Sequence, residues 1–412
     1  MEEPNGELPL RRLSPLTRFA ILYTVLFSAF GVISPFLPAF FGDRGLTTQQ
    51  IGFAIGLGTA VRVMSGPLIG NLADEKRAWR VVLCVCAGVA GAIALGYLWA
   101  NHFAAILAVS LAQSILVAPL VPIADAMALS ASRSPRRFEY GWVRGAGSAA
   151  FIVGSLAAGS AADSLGLAVT VGLNAVLLGI TSIAAMPLPD IPTRVARPRH
   201  ATLGSIRLLL DLRAFRRLLL VGALVLGSHA LHDTFAIIQW RGAGISTATA
   251  SLLWSESVAA EVFVFLLIGP PLVRWLGVPR TAILAAGAGV VRWTVLGVSN
   301  HVAAVAFVEP LHGLTFALFH LAAMRLIIET VPNRLAATAQ AIYGTLAVGA
   351  STTLLTLISG PLYEAIGARS FWVMSFLCLA SMPLADGLTS EASKLRRVYK
   401  TGAASPTGDR AP

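Results

Sequence analysis

The sequence predicts an all-α membrane protein of twelve transmembrane helices, arranged as two pseudo-symmetric six-helix bundles. Three observations carry that prediction: near-continuous apolar runs of bilayer length, a one-sided distribution of basic residues, and a weak internal repeat. The chain has 412 residues, 56% hydrophobic and 12% charged. That is about half the charge of a soluble domain, for which roughly 25% is usual. The apolar runs reach about 20 residues, enough to cross a bilayer. They lack a polar face, so their solvent is lipid.

In order, the spans of the first half are expected at 16–40, 49–70, 80–100, 104–130, 141–162 and 166–187. Those of the second half are expected at 214–240, 247–269, 279–299, 302–328, 334–361 and 370–387. The first run is too long for a signal-peptide core and reads as an uncleaved span. Between the halves, 188–213 changes character. It has Pro189, Pro192 and Pro198 with basic residues from Arg194 to Arg213, and reads as a linker. The expected organisation is a tail at 1–14, a bundle at 15–187, the linker, a bundle at 214–388, and a disordered tail at 389–412.

A net charge of +11 invites a nucleic-acid reading, but the placement of the charge excludes it. Under this segmentation Arg44, Arg241 and Arg369 lie on one side, and Arg62, Arg144 and Arg292 lie within or at the edge of spans. The remaining 25 of the 31 Lys and Arg fall on the other side. The positive-inside rule makes that side the cytoplasm and puts both termini there, in a bacterial-type inner membrane. Cys84, Cys86 and Cys378 have neither disulfide nor zinc spacing, and no cofactor motif or obligate protein partner is expected.

The halves echo each other. Gly45-Leu46-Thr47-Thr48 opens the second span and Gly244-Ile245-Ser246-Thr247 the eighth, and each turn is followed by a charge within the span, Arg62 and Glu261. Internal symmetry of this kind marks secondary transporters whose site lies between the repeats.

The intramembrane charges point the same way. Arg62, Asp125, Asp233, Glu256, Glu261, Arg292 and Glu309 lie within spans, with His229, His232, His312 and His320. Facing lipid, seven charges would cost on the order of 20 kcal/mol, so they face one another or a wet cavity. A carboxylate that moves between an apolar pocket and an arginine can take up and release a proton. Glu261 and Arg292, on adjacent spans, are the expected coupling pair, the alternative being a static ion pair. His229, His232 and Asp233 share one helical face. Their spacing would suit a metal only with a further ligand that the sequence does not offer, so a polar cavity wall is expected instead.

Gly70-Asn71-Leu72-Ala73-Asp74 followed by Lys76, Arg77 and Arg80 resembles the loop motif of the major facilitator superfamily, with Arg77 in place of the usual glycine. Further stretches resemble the phenylpropionic acid permease family, which is related to lactose permease and nucleoside–proton symporters. They include Pro119-Leu120-Val121-Pro122 with Asp125, Tyr140-Gly141 with Arg144, Ala260-Glu261, Gly289-Val290-Val291-Arg292-Trp293, Leu311-His312 and His320-Leu321-Ala322-Ala323-Met324-Arg325. The resemblance implies the major facilitator fold and a conformational latch at Gly70, Asp74 and Arg77. It also implies that Asp125 and Arg144 pair to hold substrate, and that Glu261, Arg292 and His312 act in proton coupling. Where lactose permease has a coupling glutamate three residues after the histidine, this chain has Thr315, which passes that task to Glu261 or Glu309.

The reading is a proton-coupled symporter of a small organic solute, an aromatic acid first. Arg62, Asp125, Arg144, His229 and His312 are the expected substrate contacts. A sugar or nucleoside symporter, or an exporter, is the alternative within transport, with Gln113 and Asn174 as its intramembrane amides. A membrane-embedded enzyme would need a nucleophile or metal constellation, and a receptor would need a large extramembrane domain. Neither feature is present in the sequence.

Overall fold

The computed structural model describes residues 13–132, 138–189 and 203–389. Residues 1–12 and 390–412 of the tails, residues 190–202 of the linker and the basic cluster Arg133, Arg136 and Arg137 lie outside them. The described residues form ten continuous helical runs of membrane-spanning length and composition. Two of these runs, Thr247–Val298 and Asn333–Asp386, are 52 and 54 residues long. Each is more than twice a bilayer crossing and reverses at a glycine of positive φ, Gly277 (72°) and Gly367 (57°). Ten runs with two double crossings give twelve spans. Large apolar side chains such as Trp275, Phe307 and Leu266 are exposed on the outside, as lipid-facing residues should be.

Several spans expected to be straight are broken. The first stops at Ile33 and resumes at Leu37 beyond Ser34-Pro35-Phe36, and the fourth breaks between Val117 and Leu120 around Pro119. In both, proline removes an intrahelical donor. The seventh divides at Ser228 between Arg213–Gly227 and His229–Gly242. The eighth carries a π turn at Val264–Ile268, and the tenth passes through a 3₁₀ turn at Glu309–Leu311 into a π turn at Gly313–Leu318. Irregular backbone at bilayer depth is tolerated only where protein or a cavity receives its freed polar groups.

The repeat read from the sequence is visible in the turns. Among the described residues all six of positive φ pair between halves: Gly45 with Gly244, Arg77 with Gly277, and Gly166 with Gly367, at offsets of 199, 200 and 201 residues. At the first pair the closing bonds match too, Leu46 N–H to Phe41 O at 3.2 Å and Ile245 N–H to Trp240 O at 3.0 Å. Thr47 and Ser246 then cap the following helices. Arg77 is the one non-glycine in the set, at φ 50°. A side chain in that region costs about 1–2 kcal/mol, offset in part by the unfolded-state entropy that glycine would add. Arg77→Gly is therefore expected to stabilise the protein by about 1 kcal/mol, seen as a higher melting temperature in detergent. A lower one would show that the arginine side chain makes contacts worth more than the strain.

The halves meet at one end of the molecule. Arg241 donates to both oxygens of Asp43, at 3.0 and 3.3 Å. Thr48 Oγ1 donates to Glu364 at 3.0 Å. Asp163 accepts from Thr247 N–H at 2.6 Å and Ala248 N–H at 3.1 Å, so a carboxylate of one half caps a helix of the other. Backbone touches backbone at Gly52 and Gly360, where an added Cβ would come within 2.9 Å of the facing chain. A shared core of Phe36, Phe40 and Tyr97 with Phe235, Trp240 and Trp293 backs this seal. Within the expected linker, Leu203–Asp211 forms a short helix that the sequence reading did not anticipate.

Candidate functional site

Behind that seal lies a cavity of about 310 Å³. The second span supplies Thr59 and Arg62, the seventh Asp233 and the eighth Trp254, and Phe30 and Ile55 add apolar wall. Arg62 is exposed to the cavity and donates to Thr59 Oγ1 at 3.1 Å, one turn away on its own helix. It has no ion pair with any described residue. Gln113 and Asn174 also line the cavity. Gln113 Nε2 donates to Asn174 Oδ1 at 3.1 Å, and Asn174 Nδ2 to the Ala29 carbonyl at 2.8 Å.

Behind Asp233, which lines the cavity, the second half holds a chain of charged and imidazole groups. Arg292 and Glu309 are both fully buried and meet at 2.7 Å. Arg292 also reaches His312 Nδ1 at 3.1 Å and His232 Nε2 at 3.2 Å, while its guanidinium carbon lies 4.6 Å from the Trp293 ring centroid. A guanidinium only donates, so in these two contacts the imidazole nitrogens accept. That fixes the remaining ring protons. His312 Nε2–H faces Glu261 at 3.4 Å, and His232 Nδ1–H faces Asp233 at 3.1 Å. The chain runs Glu261–His312–Arg292–His232–Asp233, with Glu309 beneath the arginine.

Glu309 alone meets the guanidinium and Glu261 and Asp233 lie beyond the two imidazoles, so with neutral imidazoles and ionised carboxylates two negative charges are uncompensated. One atom shows where the deficit lies. Glu309 Oε1 is buried without a hydrogen-bond donor, 3.3 Å from His232 Nε2. A proton shared between the two atoms supplies the missing bond when Nε2 turns from Arg292 to Oε1, since an imidazole nitrogen has a single lone pair. His232 is held in place by Trp254, stacked on it at 5.0 Å between ring centroids.

These positions correct the expected pairings. Glu261 does not pair with Arg292: Glu309 occupies the guanidinium, and His312 stands between Arg292 and Glu261. Asp125 does not pair with Arg144 either. It accepts from the hydroxyls of Tyr23 and, at 2.8 Å, Tyr140, while the Arg144 guanidinium lies 4.5 Å from the Phe27 ring centroid. Two phenol donors satisfy the carboxylate, and neither Asp125 nor Arg144 lines the cavity. His229 is buried against Trp293 and His312, its Nε2 without a partner, and neither it nor His312, both expected to touch substrate, lines the cavity. Among the described residues no group of His, Cys, Asp and Glu is placed to hold a metal ion. Gly70, Asp74 and Arg77 lie at the far end of the second span from Thr48, with Asp74 exposed. Asp233, named in the sequence only as an intramembrane charge, is half-exposed in the cavity.

Two six-helix repeats around a central cavity, with an intramembrane charge cluster reaching it at Asp233, define a secondary transporter of the major facilitator type. The chain belongs to the MFS_1-like family, whose model matches residues 16–374. It is 30% identical over 368 residues to the probable 3-phenylpropionic acid transporter of Escherichia coli (strain K12), covering 88% of this chain and 95% of that protein. It is 24% identical over 365 residues to the maltose permease of Geobacillus stearothermophilus, covering 88% and 91%. Among solved structures, the nucleoside transporter NupG superposes with a TM-score of 0.78 at 17% identity, covering 92% of this chain and 98% of that one. A bacterial homologue of the human lysosomal transporter Spinster, in an inward-facing and unoccupied conformation, gives 0.67 at 14% identity, covering 92% and 97%. The protein is thus a multi-pass membrane transporter of small molecules.

Proposed function

We propose that the protein imports a small aromatic organic acid together with protons, by alternating access across a bacterial inner membrane. The observation that carries this reading is Arg62: a cation open to the cavity, without a carboxylate partner among the described residues, in a cavity also lined by Phe30, Ile55 and Trp254. A guanidinium binds a carboxylate through two parallel bonds, and the wall suits a ring. The name of the Escherichia coli relative supports the same class of substrate. A sugar or nucleoside would want free amides in the cavity, whereas Gln113 and Asn174 each give one amide N–H to a protein acceptor.

Proton coupling is drawn from the charge cluster, with Glu309, Arg292, His312 and Glu261 as its members. The cluster has more carboxylates than cations, and the buried orphan oxygen of Glu309 supplies a place for a proton. The distribution of basic residues places both termini and the 188–213 linker in the cytoplasm. With that orientation the sealed end at Asp43, Thr48 and Asp163 is periplasmic, and the conformation is inward-facing. Asp74 and Arg77 would then form their latch on the cytoplasmic side when that side closes.

The test is uptake of radiolabelled 3-phenylpropionate into proteoliposomes with an alkaline interior. Wild-type protein should accumulate it. Arg62→Gln should weaken binding by about 2–3 kcal/mol, roughly 30- to 150-fold in affinity, and Arg62→Lys should restore part of that. An Arg62→Gln variant of unchanged affinity would remove the carboxylate assignment.

A further inference from the structure

Resting on the proton-coupled reading, the geometry points to His232 and Asp233 as the route by which the proton passes between the cavity and buried Glu309. Neither residue was assigned a coupling role above. Asp233 is half-exposed in the cavity, whereas Glu309 is fully buried with one oxygen lacking a donor. His232 is the bridge, 3.1 Å from Asp233 Oδ1 through Nδ1 and 3.3 Å from Glu309 Oε1 through Nε2. Its own exposure is 2%, so water is kept off the ring and the proton must move through it.

The step balances without redox chemistry. The Oε1–H bond of protonated Glu309 breaks as Nε2–H forms on His232, which becomes an imidazolium, and its Nδ1–H bond then breaks as Oδ1–H forms on Asp233. One proton leaves the buried site and one appears at the cavity surface. His232 is left as the other tautomer and resets by exchange or a ring turn. Charge controls the step from several sides. Arg292 lies against both Glu309 and His232, His312 accepts from the same guanidinium, and His229 packs on His312. Glu261, at the far end of the chain, reaches Glu309 only through His312 and Arg292. The cavity-facing end beside Trp254 is therefore the shorter path.

Two measurements test this. The first does not depend on which solute is carried. Because Trp254 stacks on His232, protonating that ring should quench its fluorescence, isolated from the other seven of eight tryptophans by subtracting a Trp254→Phe spectrum. The signal should titrate in the purified full chain, shift in Asp233→Asn and vanish in His232→Asn. The second measurement is transport of labelled 3-phenylpropionate. His232→Asn should lose pH-driven accumulation by about 10²-fold, the scale of a lost proton-transfer group. Counterflow exchange, which needs no net proton movement, should stay close to wild type. Asp233→Asn should lose accumulation in the same way, and Asp233→Glu should recover part of it. As Asp233 is half-exposed, its variants remain informative if His232→Asn folds poorly.

A flat Trp254 titration, or His232→Asn and Asp233→Asn variants that accumulate substrate as wild type does, would overturn the relay. If wild-type protein shows no pH-driven uptake while Trp254 titrates as described, the substrate or coupling reading falls and the relay stands.

Discussion

Arg292→Gln is expected to destabilise the protein by about 3–5 kcal/mol and to abolish transport, because it leaves Glu309 charged and unpaired in the interior. The pair itself contributes little net stability, since burying both ions offsets most of their attraction. The double variant Arg292→Gln with Glu309→Gln should therefore recover most of the lost stability, although not transport. Thermal unfolding in detergent separates the two outcomes. A double variant as unstable as the single would place the loss in the packing of Arg292 on Trp293 and the two imidazoles, not in the unpaired charge.

The sequence indicated which charges lie inside the membrane but not how they pair, and the reason is local. Pro310 interrupts the tenth span, which winds tightly over Glu309–Leu311 and loosely over Gly313–Leu318. Both Glu309 and His312 thereby face Arg292, and regular helical spacing does not foretell which of the two candidate acids, Glu261 or Glu309, reaches the guanidinium. Asp125 shows the same limit over a longer range. One of its phenol donors, Tyr23, lies 102 residues away and belongs to no spacing rule. The turns were legible because their chemistry is short-range. Gly45 and Gly244 announced matching reversals, and the structure adds Arg77 with Gly277 and Gly166 with Gly367 to the same repeat. The two early breaks, at Pro35 and Pro119, had a residue to mark them, whereas the break at Ser228 had no proline at that position.

Gly159→Trp should hold the sealed end open and stop transport while leaving the protein folded. At this contact of the fifth and eighth spans, even an added Cβ would lie 2.2 Å from Ser251 Oγ and 3.0 Å from the Thr247 carbonyl. Ser251 could turn aside only by giving up its 2.7 Å bond to Ala248 O, and the Thr247 carbonyl is backbone. The indole must then force the two halves apart, at a cost to the sealed state above the 1–3 kcal/mol of ordinary overpacking. That cost falls on one conformation alone, so it acts as a population shift; about 5.5 kcal/mol would carry a 99:1 equilibrium to 1:99. The contacts of Asp163 with the helix start at Thr247, and of Arg241 with Asp43, belong to the same sealed state and would be lost with it. Spin labels at Leu165 and Leu252, both exposed on these two spans, would report the change as a move to longer distances, with substrate counterflow lost. An unchanged distance distribution in Gly159→Trp would mean that the seal adapts around the indole and that this contact is not what separates the two conformations.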